Sequence, residues 1–575
     1  MEIKKGIAAS PGVVIKEAFV LDSEEFRIPR RYIKGEEVEA ELERLHTALA
    51  KAQEQIRSLQ GLAAKRIGLE HALIFQVHLE MLQDKNLIEE ITSLIRDKKH
   101  TPEYAISRAL RKYIKAFQEM DDAYLAERVS DIFDVERRLL RTLLGEKVEE
   151  LNRLQEQVVV IARNLSPSQT LALDKSKVLG FATDVGGRTG HTAIIARALD
   201  IPAVVGLGDI TTDVSGGDLV IIDGTHGVVI ISPDEETLEN YRGRQQSFQS
   251  FEERLAAIRD LPAETLDGHR VTILGNIESP DEIPSCLHHG ASGIGLYRTE
   301  FLYFGKTAEP TEDQHFQAYL RAVTTLGGRP IVIRTLDLGA DKFGAIPERN
   351  PFLGLRSIRY CFKRLDLFRI QLRAILRASA FGPVRILFPM VATLDELRRA
   401  KRVVRDVMQE LETEQIAFNK DVEIGIMIEV PAAVLIADSL AKECDFFSIG
   451  TNDLIQYTIA VDRANEGVAP LFNPAHPAIL RLLKMTIDSG ERNNIPVAMC
   501  GEMSGEMVYA MFLLGLGLKE FSVAPSTIPE LKQVIRSVTM EEAAKVTNEV
   551  FKMDDPQEIT RYLEETTKRV LPEAF

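Results

Sequence analysis

IGIMIEVPAAVLIADSLAKECDFFSIGTND, residues 424–453, holds two short apolar runs, IGIMIE (424–429) and FFSIGTND (446–453), with a helix-compatible stretch between them. Each run is too short for a helix and ends on polar groups: Glu429 in the first, Asn452 and Asp453 in the second. An apolar strand with a polar tip, a helix and another such strand make the βα unit of a parallel sheet. Working outward, the unit recurs. VTILGNI (271–277), GIGLYR (293–298), IVIRTLD (331–337) and RILFPM (385–390) precede it, and VAMCGE (497–502) and EFSVA (520–524) follow. Eight such alternations over about 300 residues predict a C-terminal (β/α)8 TIM barrel across residues 261–575. Polar side chains sit at the C-terminal ends of the runs: Arg298, Glu300, Arg334, Asp337, Glu429, Asn452, Asp453, Cys500 and Glu502. In such barrels that face carries the chemistry. A doubly wound open sheet is the competing fold, and it does not account for polar tips on so many successive strands.

The N-terminal half has a different texture. Residues 1–20 read as a strand, a Ser-Pro-Gly turn and a second strand. From Val38 the apolar positions Leu42, Leu45, Leu49, Ala52, Ile56 and Leu59 recur every three or four residues, the seam of a long helix burying one stripe. Further helical patterns cover 74–82, 87–95, 104–117 and 129–144. After residue 157 the β-branched runs VVVIA, LGFAT, AVVGLG, DLVIID and VVIIS return, with one helix at 192–199. The whole chain is therefore expected to be a multidomain α/β protein. An α/β domain (1–20 and 146–233) carries an inserted helical subdomain (21–145), and a linker helix (234–260) leads to the barrel.

The chain has 575 residues, 70 Lys plus Arg against 86 Asp plus Glu, and a formal net charge of −16. That acidic balance argues against nucleic acid as the main partner and suits a basic protein or a small ligand. Four scattered cysteines, with no CxxC pair, spell neither a zinc site nor a disulfide framework, and reduced thiols in a cytosol are the plain reading. The N-terminus makes a poor signal peptide, and no apolar run approaches membrane-spanning length, so a cytoplasmic protein is expected.

Arg298, Arg334 and, just past the sixth strand, Arg463 offer planar forks suited to phosphate and carboxylate oxygens. Glu429 and Asp453 on adjacent strand ends would repel without a cation, and a hard dication taking two carboxylates plus substrate oxygens fits Mg2+. The barrel mouth thus reads as a site for a small phosphorylated acid; surface ion pairing is the alternative. Cys500, at the end of the seventh strand, is either a small buried hydrophobe or, given that position, a proton donor, since a thiol is mostly protonated at neutral pH.

In GGRTGHTAIIAR, His191 follows a strand and a glycine-rich loop and opens a helix, where free N–H groups and the helix dipole favour a phosphoryl group. Arg188 adds a cation, and an imidazole there can accept phosphate as a nucleophile; a histidine that merely caps the helix is the alternative. Neither a Walker loop nor a GxGxxG between strand and helix is present, so nucleotide chemistry has no written site.

Assembled, these strings resemble Enzyme I of the bacterial phosphotransferase system, within the PEP-utilising enzymes, over essentially the full length. GGRTGHTAIIAR resembles the family's phosphohistidine motif and DFFSIGTNDLIQYTIAVDR its second signature. The resemblance implies that His191 takes the phosphoryl group of phosphoenolpyruvate (PEP), that Arg298, Arg334, Asn452 and Arg463 hold PEP, that Glu429 and Asp453 bind magnesium, and that Cys500 is the proton donor. It implies that the helical subdomain docks the phosphocarrier HPr, with His78 at that surface, that Thr170 orients the active histidine, and that the barrel forms a homodimer. Gly190 stands where Ser or Cys is common. Because His191 and the barrel lie in different domains, a swivelling phosphohistidine domain is expected. The implied function is the first step of sugar uptake. A paralogue serving a regulatory carrier and a non-catalytic regulatory scaffold are the other readings.

Overall fold

The computed structural model describes residues 1–21, 31–66, 69–118, 123–144, 156–166, 169–170, 173–187, 190–199, 201–303, 309–339, 350–463, 465 and 467–572. The chain separates into two compact units, Met1–Ser250 and Phe251–Phe575.

The first unit is built on an eight-stranded mixed sheet of β1 (Glu2–Lys5), β2 (Ile7–Ser10), β3 (Val13–Leu21), β4 (Val158–Ala162), β5 (Val178–Thr183), β6 (Ala203–Val205), β7 (Leu219–Asp223) and β8 (Val228–Ile231). Its order is β1-β8-β7-β3-β4-β5-β6-β2, so the two edge strands are consecutive in sequence and joined through Gly6. The single opening strand expected from the sequence is thus two. The chain crosses between edges at Gly6, where a Cβ would lie 2.6 Å from the carbonyl oxygen of Val205. The Ser-Pro-Gly turn falls between β2 and β3, with Gly12 at φ 122°.

Helices Val38–Arg66, Leu69–Met81, Lys85–Arg96, Pro102–Gln118 and Ala123–Leu144 occupy the stretch between β3 and β4. Those two strands pair in parallel, Ala18 against Val159 through Leu21 against Ala162, so the helical insertion leaves and re-enters the sheet at neighbouring positions. Its core is the seam read from the sequence: Leu45, Ala52 and Ile56 are fully buried, with Phe75, Ile95, Ile106 and Leu139 packed among them.

Helix Glu235–Ile258 crosses the boundary between units. Gln245 on it donates to the Val13 carbonyl at 3.3 Å, whereas Phe251, further along, is buried in the core of the second unit.

The second unit is a closed parallel barrel of β9 (Thr272–Ile277), β10 (Ile294–Tyr297), β11 (Ile331–Arg334), β12 (Val384–Phe388), β13 (Glu423–Ile428), β14 (Phe446–Ile449), β15 (Val497–Met499) and β16 (Glu520–Val523), with β16 pairing back to β9. All eight expected strands are present. Two apolar layers hold it. One lies between strands and outer helices, with Ile333, Phe368, Phe388, Phe447 and Phe521 fully buried. The other is a separate cluster of Leu296, Val332, Leu387, Met427, Phe446 and Cys500. Among the described residues no helix is long and apolar enough to cross a membrane, and all four cysteines are free and buried.

Candidate active site

At the C-terminal end of β11, the Arg334 guanidinium lies 3.1 Å from Glu300 and 2.9 Å from Asp337. Burial works against its charge, but those two carboxylates outweigh it and keep the guanidinium firmly protonated. Its buried Nε has no hydrogen-bond partner, which leaves a donor for a ligand oxygen. The Asp337 side chain is only 5% exposed. Burial alone would raise its pKa, but the guanidiniums of Arg334 and Arg356 win and hold it below the ordinary 3.8. Arg356 bridges Asp337 at 3.0 Å and Asp453 at 3.2 Å, and donates to the Tyr457 hydroxyl at 3.3 Å. Sequence reading missed Arg356. It sits on no strand tip and in no motif, but in a loop brought alongside by an isolated bridge between Gly339 and Arg356.

Glu429, just past β13, is buried and accepts the Met390 backbone N–H at 2.6 Å. Met390 adopts φ 59°, a conformation rare for such a side chain and held here beside the carboxylate. Burial first, then the charges of Asp453 and Asp337, push Glu429 well above the usual carboxylate range. Asp453 lies in the first turn of helix Thr451–Ile459, after the adjacent strand β14. No group of three or more acidic, His or Cys side chains among the described residues is arranged to hold a metal. Two hard oxygen donors, with the Asp453 charge among those that push Glu429 up, still fit a dication that completes its shell with water and substrate oxygens.

Asn452 donates to Glu502 at 2.9 Å and accepts the Glu502 backbone N–H at 3.1 Å, while Arg463 lies 3.4 Å from the same carboxylate. Arg298 is half-exposed and pairs with Glu278 at 3.0 Å. Cys500, after β15, is buried, and burial raises its thiol above the ordinary 9.0, so it carries its proton at neutral pH.

In the first unit, His191 is the first residue of helix His191–Ala198, capped by Gly190 at φ −63°. That angle suits any residue, so Gly190 is not required by backbone conformation. The helix is anchored by the Thr192 hydroxyl on the Leu165 carbonyl at 2.8 Å and Arg197 on the Ala9 carbonyl at 3.0 Å. Ile195 is buried in the core of the helical insertion. Arg188 lies outside the described residues. Thr170 is buried, its hydroxyl donating to the Ser166 carbonyl at 2.9 Å. The expectation of His78 at a surface needs correcting. The residue has no exposure and lies 3.5 Å from Asp131 and 3.8 Å from Asp134, on the inner face of its helix.

A barrel with cationic and acidic strand tips, preceded by an α/β unit whose helix opens on a histidine, is the architecture of the PEP-utilising enzymes. The profile of their PEP-binding domain matches residues 252–540, that of their N-terminal domain residues 5–128, and that of their mobile domain residues 154–227. The chain is 43% identical over 565 residues to the phosphoenolpyruvate-protein phosphotransferase of Geobacillus stearothermophilus, covering 98% of this chain and 97% of that one. It is 40% identical over 572 residues to the protein of the same name from Bacillus subtilis (strain 168), covering 99% and 100%. A solution structure of Enzyme I (nEIt) covers 43% of this chain and 99% of its own, at 45% identity and a TM-score of 0.37. This chain belongs to the phosphoenolpyruvate-protein phosphotransferase family.

Proposed function

We infer that this chain moves the phosphoryl group of phosphoenolpyruvate onto its own His191, releases pyruvate, and passes the group to a histidine of the carrier HPr, the first step of phosphotransferase-system sugar uptake. The observation that carries this reading is the Arg334 guanidinium, charged, flanked by acids and with an unfilled, buried Nε–H donor. Arg298, Arg334, Asn452 and Arg463 take the phosphate and carboxylate oxygens, and Arg356 keeps Asp337 and Asp453 in register beneath them. Glu429 and Asp453 hold Mg2+, which when bound offsets the negative charge of the substrate. Such transfer depends mainly on positioning and charge stabilisation. A neutral His191 nitrogen attacks phosphorus, the bridging P–O bond breaks, and its electrons pass to the enolate of pyruvate. The Cys500 S–H then gives its proton to the enolate carbon. Arg188 and Thr170 support the histidine. Family membership supports the helical subdomain as the HPr-docking surface, the barrel as the site of homodimerisation, and the cytoplasm as the location. With His78 buried, carrier contact falls to its neighbours.

The test is incubation with labelled PEP and Mg2+, comparing wild type with His191→Ala. Acid-labile, base-stable label on the wild type alone, with pyruvate released, is the expected result. Absence of label on the folded wild type would overturn the assignment.

A further inference from the structure

Cys500 is an unusual place to create a thiolate. Its side chain is buried, and its sulfur lies in an apolar cluster with Leu296, Val332, Leu387, Met427 and Phe446. Giving up a proton there leaves a negative charge that water cannot solvate, which opposes the transfer unless a donor already faces the sulfur.

Among the described residues one side chain meets that need. The Ser448 hydroxyl on β14 donates to Cys500 Sγ at 3.2 Å, and Ser448 is itself buried. The thiol has a separate acceptor in the Ile449 carbonyl, 3.6 Å from Sγ. The sulfur therefore donates in one direction and accepts in another. The backbone around it is pinned: Cys500 N–H donates to Ile449 at 3.0 Å, and Asn276 donates to the Cys500 carbonyl at 3.1 Å. The charged groups nearest in effect are Arg334 from β11, Arg298 after β10 and Glu429 after β13, and none of them forms a hydrogen bond to the sulfur.

We propose that Ser448 is a positioning residue for the protonation step, fixing the Cys500 thiol and stabilising the thiolate it becomes. In that step the S–H bond breaks with its electron pair kept on sulfur. A C–H bond forms at the enolate carbon, and the enolate oxygen returns to a carbonyl. Ser448 keeps its own proton throughout, and after pyruvate leaves, solvent reprotonates the thiolate. This rests on Cys500 being the proton donor.

The experiment compares wild type, Ser448→Ala, Ser448→Thr and Cys500→Ala as full-length proteins, following pyruvate release from PEP with Mg2+ and excess HPr across pH. A hydrogen bond to a charged group is worth roughly ten- to hundredfold in rate, so Ser448→Ala should slow pyruvate formation by about that factor with KM for PEP unchanged. Loss of the donor raises the thiol pKa further. Because the reaction uses the protonated thiol, the alkaline fall in rate should move to higher pH. Ser448→Thr, which keeps the hydroxyl, should restore both rate and profile. Normal kcat and an unmoved alkaline limb in Ser448→Ala, with Cys500→Ala impaired, would overturn the role of Ser448 and leave the proton donor standing. Normal turnover in Cys500→Ala would overturn both.

Discussion

Cys500 shows how much of a residue's chemistry is set by where it is buried. Read from the chain, it is a thiol at a strand end with an ordinary affinity for its proton. Inside the barrel, burial raises that affinity and makes it an acid that stays loaded at neutral pH. Cys500→Ala is expected to lose about 10²–10⁴ in the forward rate while still binding PEP. Equilibrium binding of PEP measured beside single-turnover pyruvate release checks both halves, and wild-type turnover would remove the thiol from the chemistry. Arg356 makes the complementary point. Removing one partner of a buried ion pair strands the others, so Arg356→Ala should destabilise the barrel by about 3–5 kcal/mol. The effect has a sign in pH. Asp337 has its pKa depressed in the fold, so its contribution is present above the ordinary 3.8 and is lost as pH falls below it. The deficit of Arg356→Ala, read from denaturant midpoints, should shrink towards acid; a deficit independent of pH would separate Arg356 from Asp337.

At the scale of elements, the strand ends work because their neighbours come close. Helix Thr451–Ile459 carries Asn452 and Asp453, and it packs so tightly on the end of β15 that a Cβ at Gly501 would lie 1.9 Å from Thr451 Oγ1 and 2.6 Å from its backbone nitrogen. The side-chain atom could swing away; the backbone nitrogen cannot. Gly501→Ala should therefore push this helix off the barrel, destabilising it by about 1–3 kcal/mol and weakening PEP binding at the same time. Calorimetry and ligand titration on one preparation test this, and unchanged binding would mean that the helix yields without moving its functional turn. Among the described residues, the helix that opens on His191 is held differently, by the Thr192 hydroxyl, the Arg197 guanidinium and the buried Ala193, Ile195 and Ala196.

At the scale of the molecule, each unit has its own buried apolar cores, which gives each its own cooperativity. Calorimetry should show two transitions. In His191→Ala, which takes no phosphoryl group, PEP with Mg2+ should raise only that of the barrel, by about 2.7 kcal/mol at a hundredfold excess over Kd. A single transition, or equal shifts in two, would count against independent units. The sequence by itself determined the barrel, the helical insertion and the family. Strand period, helix period and polar strand tips are local patterns, and the runs from 271 to 524 begin within one residue of β9–β16, three of them running three or four residues past the strand ends. It also placed Arg334, Glu429, Asp453 and Cys500 at or just past strand ends, because such a position can be counted along the chain. What only the tertiary structure decided are the relations between distant residues: Arg356 between Asp337 and Asp453, Ser448 against Cys500, two opening strands at opposite edges of one sheet, and His78 turned inward. Those depend on packing between segments remote in sequence, and no local periodicity records which side chains that packing brings together.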